Sequence, residues 1–353
     1  MKILIIKPSS LGDVIHALPF LKAVKDSFPD AQVDWAISKN LKGILEGNPL
    51  IHELISFDKE SWKDIKNLPQ TLSEITGLRK FLKSKRYDLA VDLQGLLRSG
   101  LITFFTPAST KIGFKHAREG SRYFYDKKIS DNGAVHAVDK CLEVAAAIGA
   151  KSKKIGFPLH TDAKAREKIT QLTDNVSEYI VIVPSARWAT KRWPAEYFSS
   201  LIKKIPCPCV IAGTKADRAL AHEIIQQTIS RDQRTKTSLS PDKKAESNNT
   251  IIDLSGRTTL KELVALIDGA KAVVSNDSGP MHIAAALNKP VVALFGPTDP
   301  AKTGPYGWQK HKNMKVIRTT VPCSPCRKKR CREFLCMKDI DVDRVFNALR
   351  EYL

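Results

Sequence analysis

The stretch Asn276-Asp-Ser-Gly-Pro-Met-His282 sets a carboxylate, a hydroxyl, a glycine and an imidazole at the start of a short helix. Asp277 and Ser278 are residue types that cap helix N-termini, and Pro280 suits the first helical position. Gly279 removes side-chain bulk where a ligand could approach the backbone. A helix start offers N–H groups and the positive end of a dipole, which together form an anion site. With Asp277 and His282 beside it, the stretch suits a phosphate-bearing ligand. A second turn, Lys7-Pro-Ser-Ser-Leu-Gly-Asp13, follows the first apolar run. Holding one glycine and not the three of the dinucleotide fingerprint, it is a poor pyrophosphate cradle. What it supplies is Asp13, a carboxylate at the carboxyl end of a strand, where ligands of open α/β sheets bind. Capping the next helix is the alternative use of the same residue.

Cysteine spacing gives a third cluster. Cys323-x2-Cys326-x4-Cys331-x4-Cys336 places four cysteines within 14 residues, a ligand set for zinc or an iron–sulfur centre. The spacing is not that of an ordinary zinc ribbon, and Arg327-Lys-Lys-Arg330 would help neutralise thiolates. Reduced thiols or a local disulfide are the alternatives. Cys141, Cys207 and Cys209 sit among apolar neighbours and read as core thiols. No catalytic metal and no cofactor is expected. The Asp-x-Asp runs, Asp339-Ile-Asp341 and Asp341-Val-Asp343, open the final helix, where capping and the helix dipole account for them.

The elements that must position these residues alternate. Strand-like runs fall at 3–6, 33–37, 53–57, 89–93 and 111–114, with helical patterns at 14–28, 72–83 and 135–148. The pattern pauses at Phe157-Pro-Leu-His-Thr-Asp162 and starts again. Strands are then expected at 179–183, 209–212, 250–254, 272–275, 291–295 and 316–319. Helices are expected at 195–203, 217–228, 260–268 and 280–287. Residues 230–249 read as a polar surface insertion. The tail from Asp341 is an amphipathic helix through Val342, Val345, Phe346, Leu349 and Leu353. This order predicts two doubly wound α/β halves with parallel sheets.

At 353 residues the chain can hold two cores, and 42% hydrophobic with 27% charged residues is an ordinary globular balance. No apolar run approaches the roughly 18 residues of a membrane span, and the first residues read as a strand and not as a signal peptide. A cytoplasmic location is expected. The formal charge of +20 fits nucleic acid, an anionic membrane face or a phosphorylated substrate as partner. Because Lys and Arg are spread along the chain without a nucleic-acid recognition motif, nucleic acid is the least favoured of the three.

Taken together, Lys7-Pro-Ser-Ser-Leu-Gly-Asp13-Val-Ile-His, Asp92-Leu-Gln-Gly-Leu96, Ala117-Arg-Glu119, Thr190-Lys-Arg-Trp-Pro194 and Asn276-Asp-Ser-Gly-Pro-Met-His282 resemble the bacterial ADP-heptose:lipopolysaccharide heptosyltransferases, glycosyltransferase family 9. The resemblance runs over about residues 1–308 in motif order and spacing, and the first turn is more like that of heptosyltransferase I than II. It implies a GT-B fold, two Rossmann-like domains facing a cleft. Residues 1–160 would bind the acceptor, 161–335 the nucleotide sugar, and 336–353 would form a helix returning toward the first domain.

The resemblance also implies inverting, metal-independent transfer of heptose from ADP-heptose to Kdo-lipid A or heptosylated core. Asp13 matches the general base, and Lys191 the lysine facing the donor diphosphate. Asp217 falls at the ribose position, Thr258 at the adenine loop, and Asp277, Ser278, Gly279 and His282 around the diphosphate and sugar. Lys7, Ser10, Gly12, Gln94 and Arg118 fall on the acceptor side. Two segments depart from the family. Pro184-Ser-Ala-Arg187 replaces a pair of threonines, leaving Ser185 and Arg187 to meet phosphate, and Lys59-Glu-Ser-Trp-Lys63 is less basic than expected. The membrane-anchored, anionic acceptor implies peripheral contact with the cytoplasmic face of the inner membrane. Another nucleotide sugar or acceptor is the rival within the family, and a basic nucleic-acid-binding protein the rival outside it.

Overall fold

The computed structural model describes residues 1–58, 68–234 and 250–353, and these divide into two compact units, Met1–His160 and Thr161–Leu353. The boundary falls inside the expected linker. The 59–63 loop and residues 235–249 of the expected insertion lie outside the described residues.

In the first unit the strands are β1 (Lys2–Ile6), β2 (Gln32–Ser38), β3 (Glu53–Phe57), β4 (Tyr87–Asp92), β5 (Ala108–Phe114) and β6 (Lys127–Ile129). All pair in parallel, in the order β3-β2-β1-β4-β5-β6. The helices are α1 (Leu11–His16), α2 (Leu18–Ser27), α3 (Leu68–Ser84), α4 (Leu97–Phe105) and α5 (Ala137–Ala147). The single helix expected after the first turn is two. Pro19 lies in the first turn of α2 and has no N–H to continue the ladder from α1, so the chain breaks at Ala17.

In the second unit α6 (Ala163–Leu172) precedes β7 (Ile180–Val183), α7 (Ala195–Lys204), β8 (Cys209–Ile211), α8 (Arg218–Arg234) and β9 (Ile251–Asp253). Then come α9 (Leu260–Gly269), β10 (Ala272–Asn276), α10 (Gly279–Ala286), β11 (Val291–Phe295), α11 (Pro300–Thr303), β12 (Met314–Arg318), α12 (Leu335–Lys338) and α13 (Val342–Arg350). The sheet is again parallel, in the order β12-β11-β10-β7-β8-β9. The expected start of the insertion at Ser230 is instead the last turn of α8. The short strand β6 and helices α4 and α6 had no counterpart among the expected elements.

Strands buried on both faces read as continuous apolar runs, as in Ile180-Val-Ile-Val183, every residue of which is buried. In each sheet the strand order reverses beside the first strand: between β1 and β4, and between β7 and β10. Connections leaving the two strands on opposite sides open a crevice at their carboxyl ends, where ligands of doubly wound sheets bind.

The final helix, expected to return toward the first domain, buries Val345 and Leu349 in the second unit's core with Trp193, Phe198 and Leu201. Its apolar stripe is matched by α7, against which it packs.

Candidate functional site

At the β7/β10 crevice, the turn after β7 and the turn after β10 meet. Lys191 Nζ lies 2.6 Å from Asp277 Oδ2, with the lysine 18% and the aspartate 5% exposed at the side chain. The same oxygen accepts a 2.6 Å hydrogen bond from Thr298 Oγ1, on the turn after β11. The ammonium also sits 4.7 Å from the centroid of the Trp188 ring, whose face attracts a cation. Held by Asp277 and the Trp188 ring in a largely water-excluded place, the ammonium is fixed in position. Asp277, carrying that pair, acts here as the group that holds Lys191.

One buried amide ties the turns together. Asn276, at the end of β10, donates through Nδ2 to Pro184 O at 2.7 Å and accepts at Oδ1 from Trp193 N at 3.1 Å. Trp193 in turn donates from Nε1 to Ile340 O at 2.8 Å.

Helix α10 starts one residue earlier than expected, at Gly279, which puts Pro280 second. Ser278 is its N-cap residue but makes no side-chain capping bond; its Oγ lies 3.2 Å from Ser275 Oγ. The helix start is thus not shielded by its cap side chain, which suits an incoming anion. His282 is buried in the first turn, 6% exposed.

The expected nucleotide residues spread over neighbouring turns. Asp217 is buried, and its Oδ2 accepts from Thr214 N at 2.8 Å and Thr214 Oγ1 at 2.6 Å. This is a capping box, so the carboxylate has a structural use whatever else it binds. Close by, Ser255 Oγ is buried and has no hydrogen-bond partner among the described residues, within 3.3 Å of the place a side chain on Gly213 would fill. Thr258 is half-buried in the turn before α9, Ser185 is half-buried after β7, and Arg187 is exposed.

In the first unit the β1/β4 crevice gathers the residues expected on the acceptor side. Asp13 is the third residue of α1 and half-buried; its Oδ2 accepts from Ser10 N at 2.8 Å and Ser10 Oγ at 2.6 Å. Gly12 is buried in the same turn. Lys7 is buried, with Nζ donating to Leu93 O at 2.6 Å, and Ser9 N donates to Gln94 Oε1 at 3.4 Å. The turn carrying Gln94 is fixed by Asp92, whose Oδ1 accepts from the backbone N–H groups of Gln94 and Gly95 and whose Oδ2 accepts from Tyr125 OH at 2.6 Å. Burial pushes the Asp92 carboxyl upward while these donors oppose the shift. Gln94 and the exposed Arg118 line one cavity of about 260 Å³, with His116, Asp131 and Lys140 on its wall. The mixture of amide, cations and one carboxylate suits a polar, anionic ligand.

Residues 75–336 match glycosyltransferase family 9 (heptosyltransferase). Lipopolysaccharide heptosyltransferase 1 of Pseudomonas aeruginosa is 30% identical over 348 residues, covering 94% of this chain and 87% of that protein. The chain belongs to glycosyltransferase family 9. This family 9 glycosyltransferase also aligns with lipooligosaccharide heptosyltransferase 2 of Campylobacter jejuni, 28% identical over 100% of this chain and 98% of the relative. Among solved structures, the E. coli ADP-heptose lps heptosyltransferase II is 25% identical with a TM-score of 0.76, covering 100% of this chain and 98% of the other. The E. coli heptosyltransferase WaaC with ADP, 24% identical and covering 100% of both chains, has a TM-score of 0.77. The two six-stranded parallel sheets are accordingly those of a GT-B fold.

Within this family 9 enzyme the structure joins Lys191 to Asp277 and Ser10 to Asp13, pairings that sequence spacing did not specify. It adds three residues that no site assignment had included: Thr298, Trp188 and Asn276. Thr298 lies in Phe295-Gly-Pro-Thr-Asp-Pro300 and Asn276 heads the glycine-containing turn, so both were within view. The signal for Thr298 was a hydroxyl at a second turn on the same sheet edge.

Proposed function

We propose that this family 9 glycosyltransferase moves L-glycero-D-manno-heptose from ADP-heptose to the Kdo/heptose inner core of lipopolysaccharide, with inversion and without a catalytic metal. The observation that carries the reading is the fixed Lys191–Asp277–Thr298 cluster beside the start of α10. In this mechanism Asp13 accepts the proton of the acceptor hydroxyl as its oxygen attacks the anomeric carbon. The bond from that carbon to the diphosphate oxygen breaks on the opposite face, and ADP leaves with the electron pair. Lys191, Arg187, Ser185 and the N–H groups after Ser278 offset the growing charge on ADP. Asp217 and Thr258 hold the ribose and adenine, and Gly279 and His282 face the diphosphate and sugar. Lys7, Ser10, Gly12, Gln94 and Arg118 shape the acceptor side.

The acceptor is anionic and anchored in lipid, so the +20 charge supports peripheral docking on the cytoplasmic face of the inner membrane. No helix among the described residues is long and apolar enough to cross a membrane. Relatives of both numbered types align over most of the chain, and the similarity of the first turn to type I favours Kdo-lipid A as acceptor. The test is ADP release by the purified protein given ADP-heptose with Kdo-lipid A or with heptosylated core. No release with either acceptor, or tighter binding of a uridine nucleotide than of ADP, overturns the reading.

A further inference from the structure

The second unit carries a cluster that transfer chemistry does not use. All four cysteines of the loop after β12 are free thiols: Cys323 and Cys331 exposed, Cys326 half-buried and Cys336 buried. The two ends of the loop converge on the turn after β11: Ser324 and Arg327 bond to Gly296 O and Pro297 O, and Cys336 Sγ lies 3.1 Å from the place a side chain on Gly296 would fill. The backbone between them is bent in a particular way. Arg327, directly after Cys326, has φ 57°, and Phe334, between Cys331 and Cys336, has φ 51°. Phe334 N donates to Cys331 Sγ at 3.5 Å. Arg327, Lys328, Lys329, Arg330 and Arg332 lie between the cysteines in sequence and give the loop a positive charge.

The same loop is bonded to both walls of the Lys191 site. Thr190 Oγ1 donates to Lys328 O at 2.8 Å, and Lys329 Nζ lies 5.5 Å from the Trp188 ring that also receives Lys191. On the other wall, Arg327 N donates to Pro297 O at 2.8 Å and Ser324 Oγ to Gly296 O at 2.6 Å, next to Thr298. A side chain on Gly296 would meet Met337 Sδ first and lie 3.1 Å from Cys336 Sγ, so the end of the loop packs directly on this turn.

We propose that Cys323, Cys326, Cys331 and Cys336 bind a thiophilic metal, Zn²⁺ or an iron–sulfur centre, that fixes this loop and through it Lys191 and Asp277. Binding releases the thiol protons; four thiolates on Zn²⁺ leave a net charge that the neighbouring arginines and lysines offset. Among the described residues no three of these sulfurs lie within 4.8 Å of one another, whereas thiolates on a single Zn²⁺ at about 2.3 Å stand about 3.8 Å apart. A single zinc ion would thus draw the loop inward.

The test uses the full chain, purified anaerobically from cells supplied with zinc and iron. Elemental analysis and visible absorption of the wild type are compared with Cys331→Ser and with Cys323→Ser/Cys326→Ser. The expected result is one centre per chain in the wild type, its loss in both variants, and thiols shielded from a thiol reagent until a chelator is added. Zinc without colour identifies the single ion, and iron with sulfide and visible absorption the cluster. Metal-free wild type with reactive thiols, metal content unchanged in the variants, or a disulfide among the four in the mass spectrum overturns the proposal. Calorimetric ADP binding is expected to weaken about tenfold in the metal-free variants, the scale of one lost charge-assisted contact. That last readout rests on the donor-site reading, but the metal count does not. A metal centre in a protein that binds no ADP sinks the donor reading alone.

Discussion

Asp13 and Asp277 are carboxylates beside the reversal points of their sheets, Asp13 after the first strand of one and Asp277 after the fourth strand of the other, and they are held by different kinds of partner. Asp13 is half-buried and bonded to Ser10, three residues away on the same turn. Asp277 is buried and bonded to Lys191 and Thr298, which come from two other turns. Ser10 bonds to Asp13 within one turn, whereas the bonds to Asp277 join three turns and place Lys191. The contrast sets the carboxylate proposed for proton transfer beside one that positions a cation.

The largest effect is expected for the proposed proton acceptor. Asp13→Asn retains an oxygen for the Ser10 N–H, so unfolding free energy should change by no more than about 1 kcal/mol while turnover falls by about 10²–10⁴-fold. Turnover within tenfold of wild type would remove Asp13 from the base role. Next comes Lys191→Met, which leaves Asp277 buried without its cation. Denaturant titration should show a loss of about 3 kcal/mol, and kcat/KM should fall by about 10²–10³-fold. Adding Asp277→Asn to that variant should recover most of the stability and none of the turnover; recovered turnover breaks the comparison.

Thr298→Val removes one donor to Asp277 and should cost about 1 kcal/mol, read as a fall of about fivefold in kcat/KM with Lys191 still present. The smallest effect concerns acid. Asp339 is held below the ordinary carboxylate range by the Thr320 N–H and then the Thr319 hydroxyl. A lowered folded pKa stabilises the protein above the unfolded value of about 4 and is lost as pH falls through the folded value. Melting temperature should therefore drop below about pH 4 in the wild type, and Asp339→Asn should flatten that part of the curve.

Strand and helix alternation was legible because buried parallel strands are apolar throughout, and 53–57 and 291–295 match β3 and β11 end to end. Less visible was β6, whose Lys127-Lys128-Ile129 carries two exposed lysines and pairs only at a sheet edge. Helix α6 was missed because its sequence, Ala-Lys-Ala-Arg-Glu-Lys-Ile-Thr-Gln-Leu, buries only Ala165 and Ile169. The candidate sites were legible as residue types at strand ends. What spacing could not reveal was pairing: the Trp193–Asn276 bond joins residues 83 apart, and only the strand order brings their turns together.

Asn276 carries a consequence for engineering. Its amide offers N–H to one turn and oxygen to another, so neither aspartate nor leucine of similar size can take its place without losing one side. A donor pocket grafted by exchanging the Ser278–Gly279–Pro280 turn alone would leave that amide facing foreign partners. The transplantable piece is the whole set of turns after β7, β10 and β11, moved as one block.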